Sequence, residues 1–169
     1  MLQYPKPRAP YDAFVLRAWR AAQLTGAEQY ILLDIDKRPD PHWCDHLLRF
    51  SLTTMTLPSK APFPTAAGSF CDLGELPRSI KQEDFSALLR TLVPFLTTGS
   101  SLLFCYSSKT YSYHDMERLL SGVGCLIYEH LDEEDIRSQF LVELATARPQ
   151  RSIRNLCYCL AVKHRNTVN

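Results

Sequence analysis

The stretch SIKQEDFSALLRTLVPFLTTGSSLLFCYSSKTYSYHDMERLLSGVGCLIY, residues 79–128, decides the fold class. Phe85, Leu88, Leu89, Leu92, Val93 and Leu96 recur at helical spacing and predict one apolar helix face. Ser79 and Gln82 have the spacing of a capping box at its start. Pro94 is expected to kink the last turn, and Gly99 to end it. Residues 101–106 are a continuous apolar run of strand length. Ser112 and Asp115 then open a second helix carrying Met116, Leu119 and Leu120, which Gly122 and Gly124 stop. Residues 125–129 read as another strand. Helix, strand, helix, strand is the order of an α/β domain.

The flanking sequence extends the pattern. Tyr11, Phe14, Val15, Ala18 and Ala22 predict a helix over 11–25, with Gly26 as its stop. Residues 30–35, YILLDI, read as a buried strand. Asp40 and Pro41 have the character of an N-cap and first-turn proline. A helix is expected to follow to about residue 50, with Trp43, Leu47 and Leu48 on its apolar side. Pro58, Pro62, Pro64, Pro77, Gly68 and Gly74 break up residues 51–78, where strands near 51–57 and 69–73 are compatible with the pattern. Residues 132–135 form an acidic turn, 136–146 read as helix or strand, and 156–162 read as the last strand. The expectation is a single three-layer α/β domain over 11–169, its mostly parallel sheet flanked by helices, after an extended proline-rich arm at 1–10.

Bulk properties narrow the function classes. Nineteen Lys+Arg against eighteen Asp+Glu leave a net charge of +1, so charge does not indicate nucleic acid. No apolar run approaches the ~20 residues that span a bilayer. The N-terminal MLQYPKPRAP has no apolar signal core, and a cytoplasmic protein is expected. Cys105, Cys125, Cys157 and Cys159 lie in apolar runs and no pair has CxxC spacing, so reduced, buried thiols are expected.

The run FSALLRTLVPFLTTGSSLLF, residues 85–104, resembles the second half of class I methyltransferase-like Rossmann domains, where such a helix feeds a buried strand. The helix at 112–121, the glycine turn, the strand at 125–129 and the closing Ala161-Val162-Lys163 carry the resemblance across about 80–165. It implies an S-adenosylmethionine site built on a glycine-rich loop after the first strand. The chain departs there. Of its six glycines the one GxG, Gly122-Val123-Gly124, lies after the second helix, and Lys37-Arg38-Pro39 follow the strand at 30–35. Asp34 or Asp36 is similar to the acidic residue that meets the cofactor ribose. The departure implies a lost cofactor site, and no bound cofactor is expected.

Local chemistry offers three further candidates. Asp34 and Asp36 fall on one strand face and have the character of a Mg²⁺ pair for phosphoryl transfer. Ser107, Lys109 and Asp132 or Asp135 follow in the order a dehalogenase-type enzyme uses, but Lys37-Arg38 replace the Gly-Thr it needs. Pairing of the two aspartates with Lys37, Arg38 or a helix N-terminus is the plainer reading. His42 and His46 share a face of the expected helix, without the glutamate of a zinc protease. Ser107, Ser108, Lys109, Thr110 and His114 leave a strand at the edge where α/β ligands bind, and Tyr106, Tyr111 and Tyr113 crowd the same loop. Arg148, Arg151, Arg154, Lys163, His164 and Arg165 make the C-terminal section basic, opposite in sign to 132–135.

With no complete motif, the leading expectation is a non-catalytic protein-binding module, an inhibitor- or immunity-type partner or a complex subunit. It would contact another protein through Tyr106, Ser107, Ser108, Lys109, Tyr111, Tyr113 and His114. The alternative is an enzyme. It would be either a degenerate S-adenosylmethionine-dependent methyltransferase-like domain or a Mg²⁺-dependent phosphoryl-transfer enzyme using Asp34, Asp36 and Lys109.

Overall fold

A computed structural model of the chain describes residues 10–27, 29–34, 47–51, 68–146 and 153–165. The elements are α1 (Pro10–Leu24), β1 (Gln29–Asp34), β2 (Leu47–Ser51), β3 (Ser69–Gly74), α2 (Leu76–Ser79), α3 (Gln82–Leu92), β4 (Ser101–Ser107), α4 (Tyr113–Gly122), β5 (Cys125–Leu131), α5 (Glu133–Gln139), α6 (Leu141–Thr146) and β6 (Leu156–Lys163). A 3₁₀ turn, Val93–Phe95, continues α3 at Pro94, which lacks the N–H that the helix ladder needs.

The six strands lie in the order β2-β1-β3-β4-β6-β5. β2, β1, β3 and β4 run parallel, while β6 runs antiparallel to both of its neighbours. The sheet is therefore mixed, and mostly parallel only in its first half. The chain goes outward from β1 to β2, then back past β1 to β3. That reversal leaves a crevice position at the carboxyl ends of β1 and β3, where open α/β sheets bind ligands.

Each face of the sheet carries its own core. Phe85, Leu88, Leu89 and Leu92 of α3 and Met116 and Leu120 of α4 pack with Leu102, Phe104, Cys157 and Cys159. On the other face Phe14, Ala18, Trp19 and Ala22 of α1 pack with Tyr30, Leu32, Phe70, Leu103 and Tyr158, joined by Ile136 and Phe140. Phe14 stacks on Tyr158 at 4.8 Å, and Trp19 meets Tyr30 edge-on at 5.4 Å. Burying one such side chain is worth about 1.5–3 kcal/mol, so the apolar stripe of each helix settles which face it covers.

Several expectations need correction. Leu47 and Leu48 lie in a strand, not a helix, with Tyr30 paired to Leu47 and Asp34 to Ser51. LLRFS can serve either element, and parallel pairing with β1 decides it. Ser79 and Gln82 form no capping box, because Ser79 closes the short α2 and Lys81, which makes no side-chain capping bond, stands at the N-cap position of α3. The box at Ser112 and Asp115 forms, and the acidic turn is a second one, Asp132 with Asp135. Residues 136–146 are helical, in α5 and α6. The strand near 69–73 is present as β3. The expected arm at 1–10 lies outside the described residues except for Pro10, as do the pair His42 and His46, Cys44, and Asp36. No helix among the described residues is long and apolar enough to cross a membrane.

Lys163 is only 1% exposed, and its ammonium Nζ donates to the carbonyls of Val93 (2.9 Å) and Leu96 (2.6 Å). The Val93 carbonyl also accepts from the Leu96 amide at 3.0 Å, so the buried cation adds a second donor there and ties β6 to the end of the α3 turn.

Cys71, Cys125, Cys157 and Cys159 are free thiols and, like Cys105, are buried. Burial pushes the Cys125 thiol from 9.0 up to about 11, and raises Cys71 and Cys159 further. The folded state therefore holds protons that the unfolded state releases above pH 9, so stability falls as pH rises. Burial acts oppositely on Lys163, lowering its pKa and favouring the fold at alkaline pH, but four raised thiols, Cys157 included, outweigh one amine. Urea midpoints measured from pH 8 to 11 are expected to fall, with Cys125 alone accounting for about 2 kcal/mol at the top of that range. A flat profile would mean the thiols are not buried as described.

Candidate functional site

Every second residue of β3 faces α1, which places Asp72 behind Phe70 on that side of the sheet. Asp72 is 2% exposed. Its Oδ2 accepts from the Tyr30 hydroxyl at 2.5 Å, and its Oδ1 accepts from the Tyr11 hydroxyl and from the Gly74 N–H at 2.8 Å. A carboxylate in an apolar strand needs such donors. This one ties α1, β1 and β3 together beside the crossover point. The only trace of it in the sequence is a lone acid inside an apolar strand.

Asp34 ends β1, opposite Ser51 of β2. Lys109 is exposed in the turn after β4, and β3 lies between β1 and β4. Asp34 and Lys109 thus share an edge but not neighbouring strands. Among the described residues no group of three or more His, Cys, Asp or Glu is placed to hold a metal ion.

The end of β4 carries the richer chemistry. The Ser107 carbonyl accepts from the amides of Thr110 (3.0 Å) and Tyr111 (3.1 Å), folding residues 107–111 into a tight turn. The Ser108 amide donates to the Asn155 carbonyl at 2.9 Å, and the Asn155 amide donates to Glu133 Oε2 at 2.9 Å. Asn155 has a φ of 59°, a left-handed conformation that Asn tolerates. The turn is thereby fastened to β6 and α5.

Inside that turn lies a cluster of aromatic and titratable groups. The buried Tyr106 hydroxyl meets His130 Nε2 at 2.5 Å. The Tyr113 ring stands edge-on to His130 at 4.8 Å, and Tyr111 stands edge-on to Tyr106 at 6.0 Å. Burial raises the Tyr106 phenol, and its hydrogen bond with the Cys157 thiol adds to that. Burial lowers His130, against the pull of Asp132 and Asp135. The Tyr111 hydroxyl is buried without a hydrogen-bond partner among the described residues.

Of the predicted site residues, the structure gathers Tyr106, Tyr111 and Tyr113 and adds His130. It leaves Ser108, Lys109 and His114 exposed, with His114 beside Glu117 at 3.8 Å. The sequence reading missed His130. It is a lone histidine in LIYEHL, and the register shift between Ile127 and Glu129 decides which face it takes.

By sequence, no protein-family model and no curated protein matches the chain. Solved structures do share the fold. A DUF574 family protein from Streptomyces avermitilis superposes with a TM-score of 0.61 at 10% identity, covering 91% of this chain and 82% of that one. The N-methyltransferase NodS from Bradyrhizobium japonicum gives 0.52 at 12%, covering 92% and 98%. The cyclase SpnF gives 0.50 at 11%, covering 95% and 86%. The chain has a methyltransferase-like Rossmann fold, and the likeness runs over most of its length, not just residues 80–165. This corrects the leading expectation. A non-catalytic protein-binding module rested on the lack of a complete motif, whereas the fold is shared with enzymes, and the methyltransferase-like alternative is the better supported.

Proposed function

We propose that this chain has a methyltransferase-like function, exercised at the carboxyl edge of its sheet. The observation that supports it is the sheet itself: parallel strands ordered about a β1/β3 reversal, closed by an antiparallel strand between β4 and β5. NodS, an N-methyltransferase also solved with S-adenosyl-L-homocysteine, shares this fold.

The methyl donor that the fold implies is S-adenosylmethionine, and the residues present do not fit its usual glycine cradle. In sequence, β1 is followed by Lys37, Arg38 and Pro39 and by no glycine. Asp72, the buried carboxylate at the crossover, is already engaged by Tyr11, Tyr30 and Gly74. The reading is of a domain that keeps the fold and its ligand edge with an altered cofactor loop.

Calorimetric titration with S-adenosylmethionine and S-adenosyl-L-homocysteine tests it. Saturable one-to-one binding is expected, weakened by the missing glycine cradle, and amide shifts in a parallel NMR titration are expected at the ends of β1, β2 and β3. Failure of both ligands to saturate would overturn the reading.

A further inference from the structure

Among the described residues β5 pairs with β6 on one side only and is an outer strand of the sheet. The ladder fixes what its other side offers. The Lys163 amide donates to the Ser100 carbonyl, just before β4, at 2.9 Å, and the His164 amide donates to the Gly124 carbonyl at 3.0 Å. Polar groups alternate in direction along a strand. Gly124 and Leu126 therefore bond inward to β6. The amides and carbonyls of Cys125 and Ile127, opposite Lys163 and Ala161, point away from the sheet. Edge strands are normally blunted by charge or proline, and GCLI at 124–127 carries neither. Leu126 is 54% exposed and Tyr128 73%. The register shift between Ile127 and Glu129 bends the strand beyond them, so the regular edge is short.

The two ends of β5 carry opposite charge. Asp132, Glu133, Glu134 and Asp135 follow its carboxyl end. His164 and Arg165, both exposed, flank its amino end, and Arg165 Cγ is 3.5 Å from where a Cβ on Gly124 would lie. Glu129, opposite Leu160, is exposed on the same face as Leu126, opposite Val162. Neither Glu129 nor Arg165 is in an ion pair among the described residues. Two copies of this edge laid antiparallel set unlike charge against unlike at both ends, whereas parallel copies would set like against like.

We propose that β5 pairs with β5 of a second copy, antiparallel about a two-fold axis at Leu126, joining two sheets into one. Cys125 exchanges both backbone hydrogen bonds with the partner's Ile127. Leu126 meets the partner's Leu126 in a non-hydrogen-bonded pair, with Cα atoms about 4.5 Å apart. Tyr128 lies over the partner's Gly124, which has no side chain to obstruct it. Glu129 comes beside the partner's Arg165. The contact is small, in the class of interfaces below about 1,200 Å², so the dimer is reversible.

Sedimentation velocity of the whole chain from about 1 to 200 μM is expected to show monomer giving way to dimer. No larger species should form, because a two-fold contact closes on itself. Leu126→Lys puts like charges directly opposite and should raise the dissociation constant at least about tenfold, with the circular dichroism spectrum unchanged. Glu129→Arg should weaken the dimer, and adding Arg165→Glu should restore it, which damage to the fold would not do. In a Cys44→Ser background, Leu126→Cys should cross-link two copies under mild oxidation, at a spacing that a disulfide spans, and Tyr128→Cys should not. A chain that stays monomeric throughout, a dimer indifferent to Leu126→Lys, equal cross-linking at 126 and 128, or species that grow past the dimer would each overturn the proposal.

Discussion

Asp72→Ala is expected to lower the unfolding free energy by about 3–5 kcal/mol. The carboxylate accepts from the hydroxyls of Tyr11 and Tyr30 and from the Gly74 amide, all at a residue 2% exposed. Each buried donor left without its acceptor costs about 1–3 kcal/mol, and the three lie on three different elements. Tyr30→Phe removes one donor and leaves the acceptor satisfied by the others, so about 1 kcal/mol is expected there. Urea denaturation at neutral pH measures both. A loss below about 1 kcal/mol in Asp72→Ala would mean that water replaces the cage, and that the crossover is more open than described.

Gly124→Val should cost about as much, by a different route. Gly124 has a φ of +84°, and a Cβ there would lie 2.5 Å from the carbonyl oxygen of Arg165. That oxygen is backbone. It cannot swing away, because the adjoining His164 amide donates to the Gly124 carbonyl at 3.0 Å. Left-handed strain contributes about 1–3 kcal/mol, and overpacking about as much again. Gly99→Ala is the control. Its φ is +94° with open space around the site, so it should show the strain alone, at about 1–2 kcal/mol. Equal losses at the two positions would show that contact with Arg165 contributes nothing.

Much of the fold was legible because periodicity survives packing. The stripe from Phe85 to Leu96 became α3 and its 3₁₀ turn, and the run at 156–162 became β6. Strand direction was not legible. Tyr158 and Leu160 face α1 and α5 while Cys157 and Cys159 face α3 and α4. Burial on both faces leaves the same apolar run whether the ladders are parallel or antiparallel. Leu47 to Ser51 misled for a related reason: an apolar pentapeptide suits either element until a partner strand is present. The aromatic loop at 106–113 was legible as a place, but its function was not. His130 reaches Tyr106 only through β6, which lies between their two strands, and no local spacing records such a contact.

The central position of β6 has a consequence for how the protein is made. The ribosome delivers β4, then β5, then β6, yet β5 joins the sheet only through β6. Until residues 156–163 leave the exit tunnel, β5 has no ladder to enter, and β4 presents a naked edge. The seven elements from α1 to β4 can assemble during synthesis, while α4, β5 and α5 wait on a strand made later. The Tyr106–His130 pair is therefore among the last contacts to form. A ribosome stalled before residue 156 would expose an unpaired β4 and invite chaperones to that edge.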